Sequence, residues 1–282
     1  MTHTHNTRFA DAMIFPALGM LIVIFVFPVG FFIFESLEGQ SFGQITSTAY
    51  DVLLAPAVVN SIVTTNVIAA EVTLGTLLVG YPIAFYLTRT AGWRFYLIMF
   101  GIVAPTLTST VVRTFALMVL GGRAGIVNSF LLRIGILESP AQLLYNRAAV
   151  VVAMVYVLLP YMVLTLYASM RAIDVNLMKA SRGLGASEFY AFSRVFFPLT
   201  LNGVIAGSIM VYIFSMGYYL TPALVGGRND VMIAQLIQYS IDKTLDWGSA
   251  AFMSLVLTGM TLVLFVIYCR FADIRNLMGR KT

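Results

Sequence analysis

Apolar residues fall in blocks of twenty or more along this chain, separated by short polar intervals. The block at residues 13–34 is 22 residues long, enough to cross a hydrocarbon layer of ~30 Å at ~1.5 Å of helix rise per residue. It is too long for a signal-peptide core and lacks an A-x-A exit, so an uncleaved first span is expected. The polar residues 1–12 ahead of it, with His3, His5, Arg8 and Asp11, predict a tail, and the two histidines have no neighbours for a metal site. Residues 35–56 hold Glu35, Glu38 and Asp51 and no basic residue. The pattern then predicts a second span over 60–88, interrupted at Gly80-Tyr81-Pro82, with Trp93 and Arg94 anchoring its end. A third follows over 95–120, stopped by Gly121-Gly122, and 126–136 is predicted as a short amphipathic helix on the membrane face. A fourth span, 148–170, carries Pro160, which predicts a kink. The fifth covers 201–220 and the sixth 248–271, with 221–246 an external segment broken by Pro222 and Gly226-Gly227.

Composition excludes a water-soluble globule. Of 282 residues 60% are hydrophobic and 10% charged, against about 25% charged in soluble domains. The basic residues give the orientation. Arg8, Arg89, Arg94, Arg171, Lys179, Arg182, Arg194, Arg270, Arg275, Arg280 and Lys281 all flank one side of the predicted spans, against five on the other side. The richer side is cytoplasmic, which places both termini inside with six spans. The net charge of +5 is thus a topology signal; no interleaved basic and aromatic patch suggests nucleic acid. A single cysteine, Cys269, excludes an internal disulfide and a Cys-rich metal site.

A polar island between two long apolar segments is 179–198, K-A-S-R-G-L-G-A-S-E-F-Y-A-F-S-R-V-F-F-P. Asp174 is placed to cap a helix over 175–182, Gly183 and Gly185 to supply a positive-φ turn, and Ser187 to cap a second helix towards Phe197. Two short helices joined at a glycine would make a cytoplasmic knob. This stretch resembles the cytoplasmic loop of ABC importer permeases, E-A-A-x-x-x-G, nine residues, then I-x-L-P. Lys179, Ala180, Ser181, Gly185, Val195, Phe197 and Pro198 fall on its positions with the spacing intact; Lys179 replaces the usual Glu and Ser181 the second Ala. Further stretches resemble the polyamine (spermidine/putrescine) branch: G-Y-P-I-A-F-Y from Gly80, P-T-L-T-S-T-V-V-R-T-F-A from Pro105, L-L-P-Y-M-V-L from Leu158 and G-Y-Y-L-T-P-A-L-V-G-G from Gly217. Leu117, where that branch often has Trp, and Thr165, where a second Pro usually follows, depart from it.

The resemblance implies an all-α integral membrane protein of the type I ABC importer permease fold, in a bacterial inner membrane. It implies a permease core over 58–271 with an ATPase-coupling loop at 171–199, and tails at 1–12 and 272–282. The implied partners are a second permease subunit, identical or homologous, two cytoplasmic ATP-binding subunits, an external solute-binding protein and membrane lipid. No cofactor or metal is implied. The solute implied is a polyamine or related organic cation, the alternatives being an amino-acid derivative or opine-like compound. A secondary transporter and a membrane-embedded enzyme or scaffold are the competing classes. No H-E-x-x-H, G-x-S-x-G or Gly-Lys phosphate loop occurs, so catalysis is not expected.

Two charges lie within predicted spans, Glu71 and Arg113. Ionisable groups at such depth face a bundle interior or an aqueous path. They either pair with each other or line a route, and a carboxylate beside that route would attract a cation. Tyr156, Tyr161, Tyr218 and Tyr219 have faces that could hold an ammonium group or simply pack. Gly203 and Gly207 form a small-x-x-x-small face, read here as packing within the same chain.

Overall fold

The computed structural model describes residues 51–278 and, ahead of them, scattered helical positions between 15 and 30. The expected tail at 1–12 and most of the expected first span lie outside the described residues. Among the described residues all regular structure is helical. The helices are α1 (Pro56–Arg89), α2 (Trp93–Val103), α3 (Thr110–Gly121), α4 (Ile126–Arg133), α5 (Arg147–Arg171), α6 (Val175–Gly183), α7 (Glu188–Met216), α8 (Leu220–Val225), α9 (Ile233–Tyr239) and α10 (Trp247–Met278). Five described stretches are long and apolar enough to cross a membrane: Pro56–Arg89, Thr110–Arg133, Arg147–Arg171, Glu188–Met216 and Trp247–Ile267.

α1, α5 and α7 make the core. Ile68, Val72 and Leu87 of α1 meet Met154, Leu158, Met162 and Leu166 of α5 and Val211 of α7. In lipid, apolar area drives little helix association, because the surroundings are as apolar as the side chains; close approach and hydrogen bonds replace it. The glycines supply the close approach. A Cβ at Gly75 would stand 2.7 Å from Val155 Cγ2, one at Gly203 2.4 Å from Ser169 Cβ, and one at Gly207 2.8 Å from Met162 Sδ. α5 thus receives α1 on one side and α7 on the other, and Gly203 and Gly207 pack within the chain. Bonds between elements complete the fastening: Tyr212 donates to Asn66 Oδ1 (2.8 Å), the Ile233 N–H donates to Thr65 Oγ1 (2.8 Å), and the Tyr81 and Thr200 hydroxyls lie 3.0 Å apart. The outer surface is apolar, with Leu78 75% and Phe100 69% exposed. Water would not tolerate such a surface, and lipid tails do.

Several boundaries differ from those the pattern predicts. α1 starts on Pro56, whose missing N–H costs nothing at a first helical turn, and it runs unbroken through Gly80-Tyr81-Pro82. Its 34 residues reach about 51 Å at 1.5 Å each, so it projects beyond any bilayer core. Pro160 likewise lies inside α5 without ending it.

The expected third span is broken. α2 gives way to a 3-10 turn at Ala104–Leu107, then to extended Thr108 and Ser109, before α3 begins. Pro105 brings no donor here, and the Thr106 and Thr108 hydroxyls satisfy the Val103 and Pro105 carbonyls (2.6 and 2.7 Å), which makes an interruption at membrane depth tolerable. The segment 221–246 holds α8 and α9 on either side of its Gly226-Gly227 break, and α10 continues past Phe271 to Met278.

Candidate functional site

The polar stretch folds as its caps predict, with one correction and one extension. Asp174 Oδ1 accepts the Asn176 N–H (2.9 Å) and starts α6; Ser187 Oγ accepts the Tyr190 N–H (3.2 Å) and starts α7. At the end of α6 the Ala186 N–H bonds the Ser181 carbonyl and the Gly185 N–H bonds that of Arg182 (3.1 and 2.9 Å). This pair of bonds is a Schellman closure, and it requires a left-handed residue at Gly185, where φ is +87°. Gly183 does not share that role. It is the last residue of α6 with no positive φ. Arg182 and Glu188 bridge the turn at 2.9 Å.

The second helix is not a separate knob element. It is the start of α7, continuous with the fifth span through a π-helical turn at Phe192–Phe196. Phe197 N–H reaches back five residues to the Phe192 carbonyl, and Pro198 has no N–H to restore the ordinary ladder. Val195 lies in that turn, with Phe197 and Pro198 just after it. Phe192 and Phe196 each pack edge-on against Phe85 of α1, at 5.2 Å between ring centroids. On α6, Lys179 and Ala180 are exposed and Ser181 is half-buried, its hydroxyl on the Met178 carbonyl (2.9 Å). At the turn Leu184 is 90% and Phe189 79% exposed.

The two charges read as lying within spans do not meet. Glu71 accepts from Arg147 instead, Oε2 from Nε at 2.9 Å and Oε1 from Nη2 at 2.8 Å, a two-pronged pair with both side chains 41% exposed. Arg147 opens α5 and Glu71 lies 15 residues into α1, so the pair ties the middle of α1 to the first turn of α5. Arg113 donates to Thr110 Oγ1 (3.1 Å), and its buried Nε has no partner among the described residues.

The tyrosines are not gathered. Tyr156 is 40% exposed, Tyr161 packs edge-on against Phe214 (5.2 Å between centroids), Tyr218 lies against the core, and Tyr219 is 42% exposed. Pattern reasoning missed Arg147 and Asn128. Asn128 is fully buried in α4; its Nδ2 donates to the Gly122 and Ala141 carbonyls and its Oδ1 accepts the Ala141 N–H, all at 3.0 Å. An asparagine inside an apolar octet was the signal available for it.

The family described as binding-protein-dependent transport system inner membrane component matches residues 77–274. The spermidine/putrescine transport system permease protein PotB of Escherichia coli K12 is 32% identical over 270 residues, 94% of this chain and 98% of that one. PotB of Salmonella typhimurium SL1344 is 31% identical over 278 residues, 96% of each. Among solved structures, a chain of a bacterial alginate ABC transporter, in complex with alginate pentasaccharide-bound periplasmic protein, superposes with a TM-score of 0.72 at 14% identity, over 93% of each chain. That likeness concerns the fold.

Proposed function

Because the chain belongs to the family of binding-protein-dependent transport system inner membrane components, a non-catalytic transport subunit, we propose that it forms one half of the solute path of an ATP-driven importer for a polyamine or related organic cation. Likeness to PotB over nearly the whole chain carries the choice of solute. A second permease chain, two ATP-binding subunits and an external binding protein complete the assembly in this reading. Both termini are cytoplasmic, with six spans, and α6 faces the ATPase.

Lys179, Ala180, Ser181 and the Gly185 turn are the coupling surface. Leu184 and Phe189 project beyond the bundle, and two large apolar side chains standing free are expected to find a protein groove. Val195, Phe197 and Pro198 form the joint by which α6 connects to α7. Along the path, Tyr156 has the freest ring for a cation on α5, while Tyr161 and Tyr218 support from packed positions. Glu71 is already claimed by Arg147, so it would serve a cation only where Arg147 lets go. Arg113 repels cations, which assigns it to the edge of the path.

The test is uptake into proteoliposomes holding the chain with its partner permease, ATPase and binding protein. Labelled spermidine should accumulate with ATP and not without it. Accumulation driven by an ion gradient alone would replace the importer reading with a secondary transporter. ATP-dependent uptake of an amino-acid derivative in preference to spermidine would keep the importer and overturn the solute.

A further inference from the structure

The ends of α1, α2 and α5 and the side of α6 enclose a cleft of about 860 Å³. Arg89, Arg171, Lys179 and Arg182 line it together with one acid, Asp174. That acid is engaged in capping α6, and Arg182 is matched by Glu188. The other three cations have no carboxylate partner among the described residues. Arg89 lies 4.1 Å from the centre of the Phe85 ring, and Arg171 donates to the Tyr167 hydroxyl and lies over that ring. Neither contact supplies a negative charge. Lys179 has no hydrogen bond or ion pair among the described residues.

Apart from Thr88 and Thr90 the remaining wall is apolar and aromatic, including Phe95, Tyr96, Met170 and Phe196. Trp93 and Tyr96 stand 70% and 71% exposed at the same end, in the manner of the aromatic belt that marks headgroup depth. Tyr96 and Phe100, four residues apart, share one exposed apolar face of α2. A basic mouth at headgroup level, an aromatic wall and an apolar track leading towards the bilayer centre suit a molecule that is anionic at one end and apolar at the other. A free phosphate would leave most of the volume and the whole aromatic wall unused.

We propose that this cleft is a binding site for an anionic phospholipid of the inner leaflet, with the phosphate held by Arg89, Arg171 and Lys179 and an acyl chain along Tyr96 and Phe100. Basic pockets between helices on the cytoplasmic side recognise such headgroups by charge and by proximity to the leaflet that carries them. The leaflet named rests on the orientation proposed above; the lipid chemistry rests on the cleft alone.

The complete chain, purified in mild detergent, should retain phosphatidylglycerol or cardiolipin through delipidation, read by native mass spectrometry. Added phosphatidylglycerol should raise the thermal midpoint, and phosphatidylethanolamine should not. Lys179→Glu and, separately, Arg171→Gln should each lower retention at least several-fold; two variants guard against one that folds poorly, and the midpoint without added lipid reports folding. Equal retention of the neutral lipid, or unchanged retention in both folded variants, overturns the proposal. So does a midpoint shift reproduced by inorganic phosphate alone, which would make the ligand a free anion. Expulsion of bound lipid by the ATPase subunit, with the variants weakening only ATPase binding, would assign the cleft to that protein contact instead. Detergent removes leaflet asymmetry, so these readouts are independent of orientation, and a wrong orientation would show separately as Lys179→Cys labelling from the external face of intact cells.

Discussion

Replacing Gly183 and Gly185 by alanine one at a time separates backbone strain from bulk. A Cβ at either position meets nothing within 4 Å, so neither substitution clashes. Only Gly185 has a left-handed backbone, with φ at +87°. Alanine there costs about 1–2 kcal/mol, whereas alanine at Gly183 replaces a helical glycine and stabilises α6 by up to about 1 kcal/mol. The strain falls on the Schellman closure, whose loss would swing α6 relative to α7. A cost of 1–2 kcal/mol is a factor of about 5–30 in the balance between closed and open turns. The assay is capture of the chain by an affinity tag with its ATPase co-expressed, scored for ATPase retained and solute uptake at matched abundance. Gly183→Ala should match the parent, Gly185→Ala should lose several-fold, and Gly185→Val more. Equal retention in the two alanine variants would refute the reasoning, because the geometry predicts opposite signs.

The Glu71–Arg147 pair is half-exposed, so a double-mutant cycle with Glu71→Gln and Arg147→Gln, read by thermal unfolding in detergent, should give a coupling of about 1 kcal/mol rather than the several expected of a buried pair. If transport of a cation falls in Glu71→Gln beyond the loss of folded protein, the carboxylate acts on the solute as well as on Arg147. Gly203→Ala should destabilise by about 1–3 kcal/mol through overpacking, and Ser169→Gly should restore much of it, because Ser169 Cβ and Oγ are the atoms met at 2.4 and 2.5 Å; no rescue would mean that the helices approach differently. Asp246 lies just outside α10, and its carboxyl is held below the usual range first by the Ser249 hydroxyl (2.6 Å) and then by the Ser249 N–H (3.0 Å). Its contribution is therefore complete above the ordinary aspartate value of about 3.9 and lost as pH falls through the lower folded value. Trp247 fluorescence in a Trp93→Phe background should titrate below that ordinary value, and a midpoint at or above it would contradict the cap.

What was legible in the sequence was whatever a local pattern determines. Asp174, Ser187 and Gly185 announce their caps and turn because each acts on residues within five positions of itself, and the long apolar blocks announce helices because their length is set by the bilayer. What was not legible depended on register between distant segments. Glu71 and Arg113 were matched by counting along two separate spans, whereas the packing of α1 on α5 brings Glu71 level with Arg147, 76 residues away. Hydropathy counts apolar residues and cannot see which positions of two helices come side by side. The break at Ala104–Thr108 was hidden for the opposite reason: its residues are apolar enough to continue a span, and only Pro105 with two nearby threonines hinted that side-chain hydroxyls would take over the backbone's hydrogen bonds.

α6 and the core are joined by elements of unequal stiffness. The two closing backbone bonds at Gly185 fix the turn after α6, and the Arg182–Glu188 bridge ties α6 to the first turn of α7, so they should move as one piece. Beyond them the π-helical turn interrupts the ordinary ladder of α7, and Pro198 brings no donor where that ladder must return to ordinary spacing. A push on α6 would therefore bend α7 at Phe192–Phe196 before it tilted the whole span. Those two rings rest on Phe85 of α1, and α1 is packed by Gly75 and Gly80 onto α5. The shortest stiff route from α6 into the bundle thus runs sideways through aromatic contacts into α1 and α5, and the glycine contacts of α7 at Ser169 and Met162 hold the far side of the joint still.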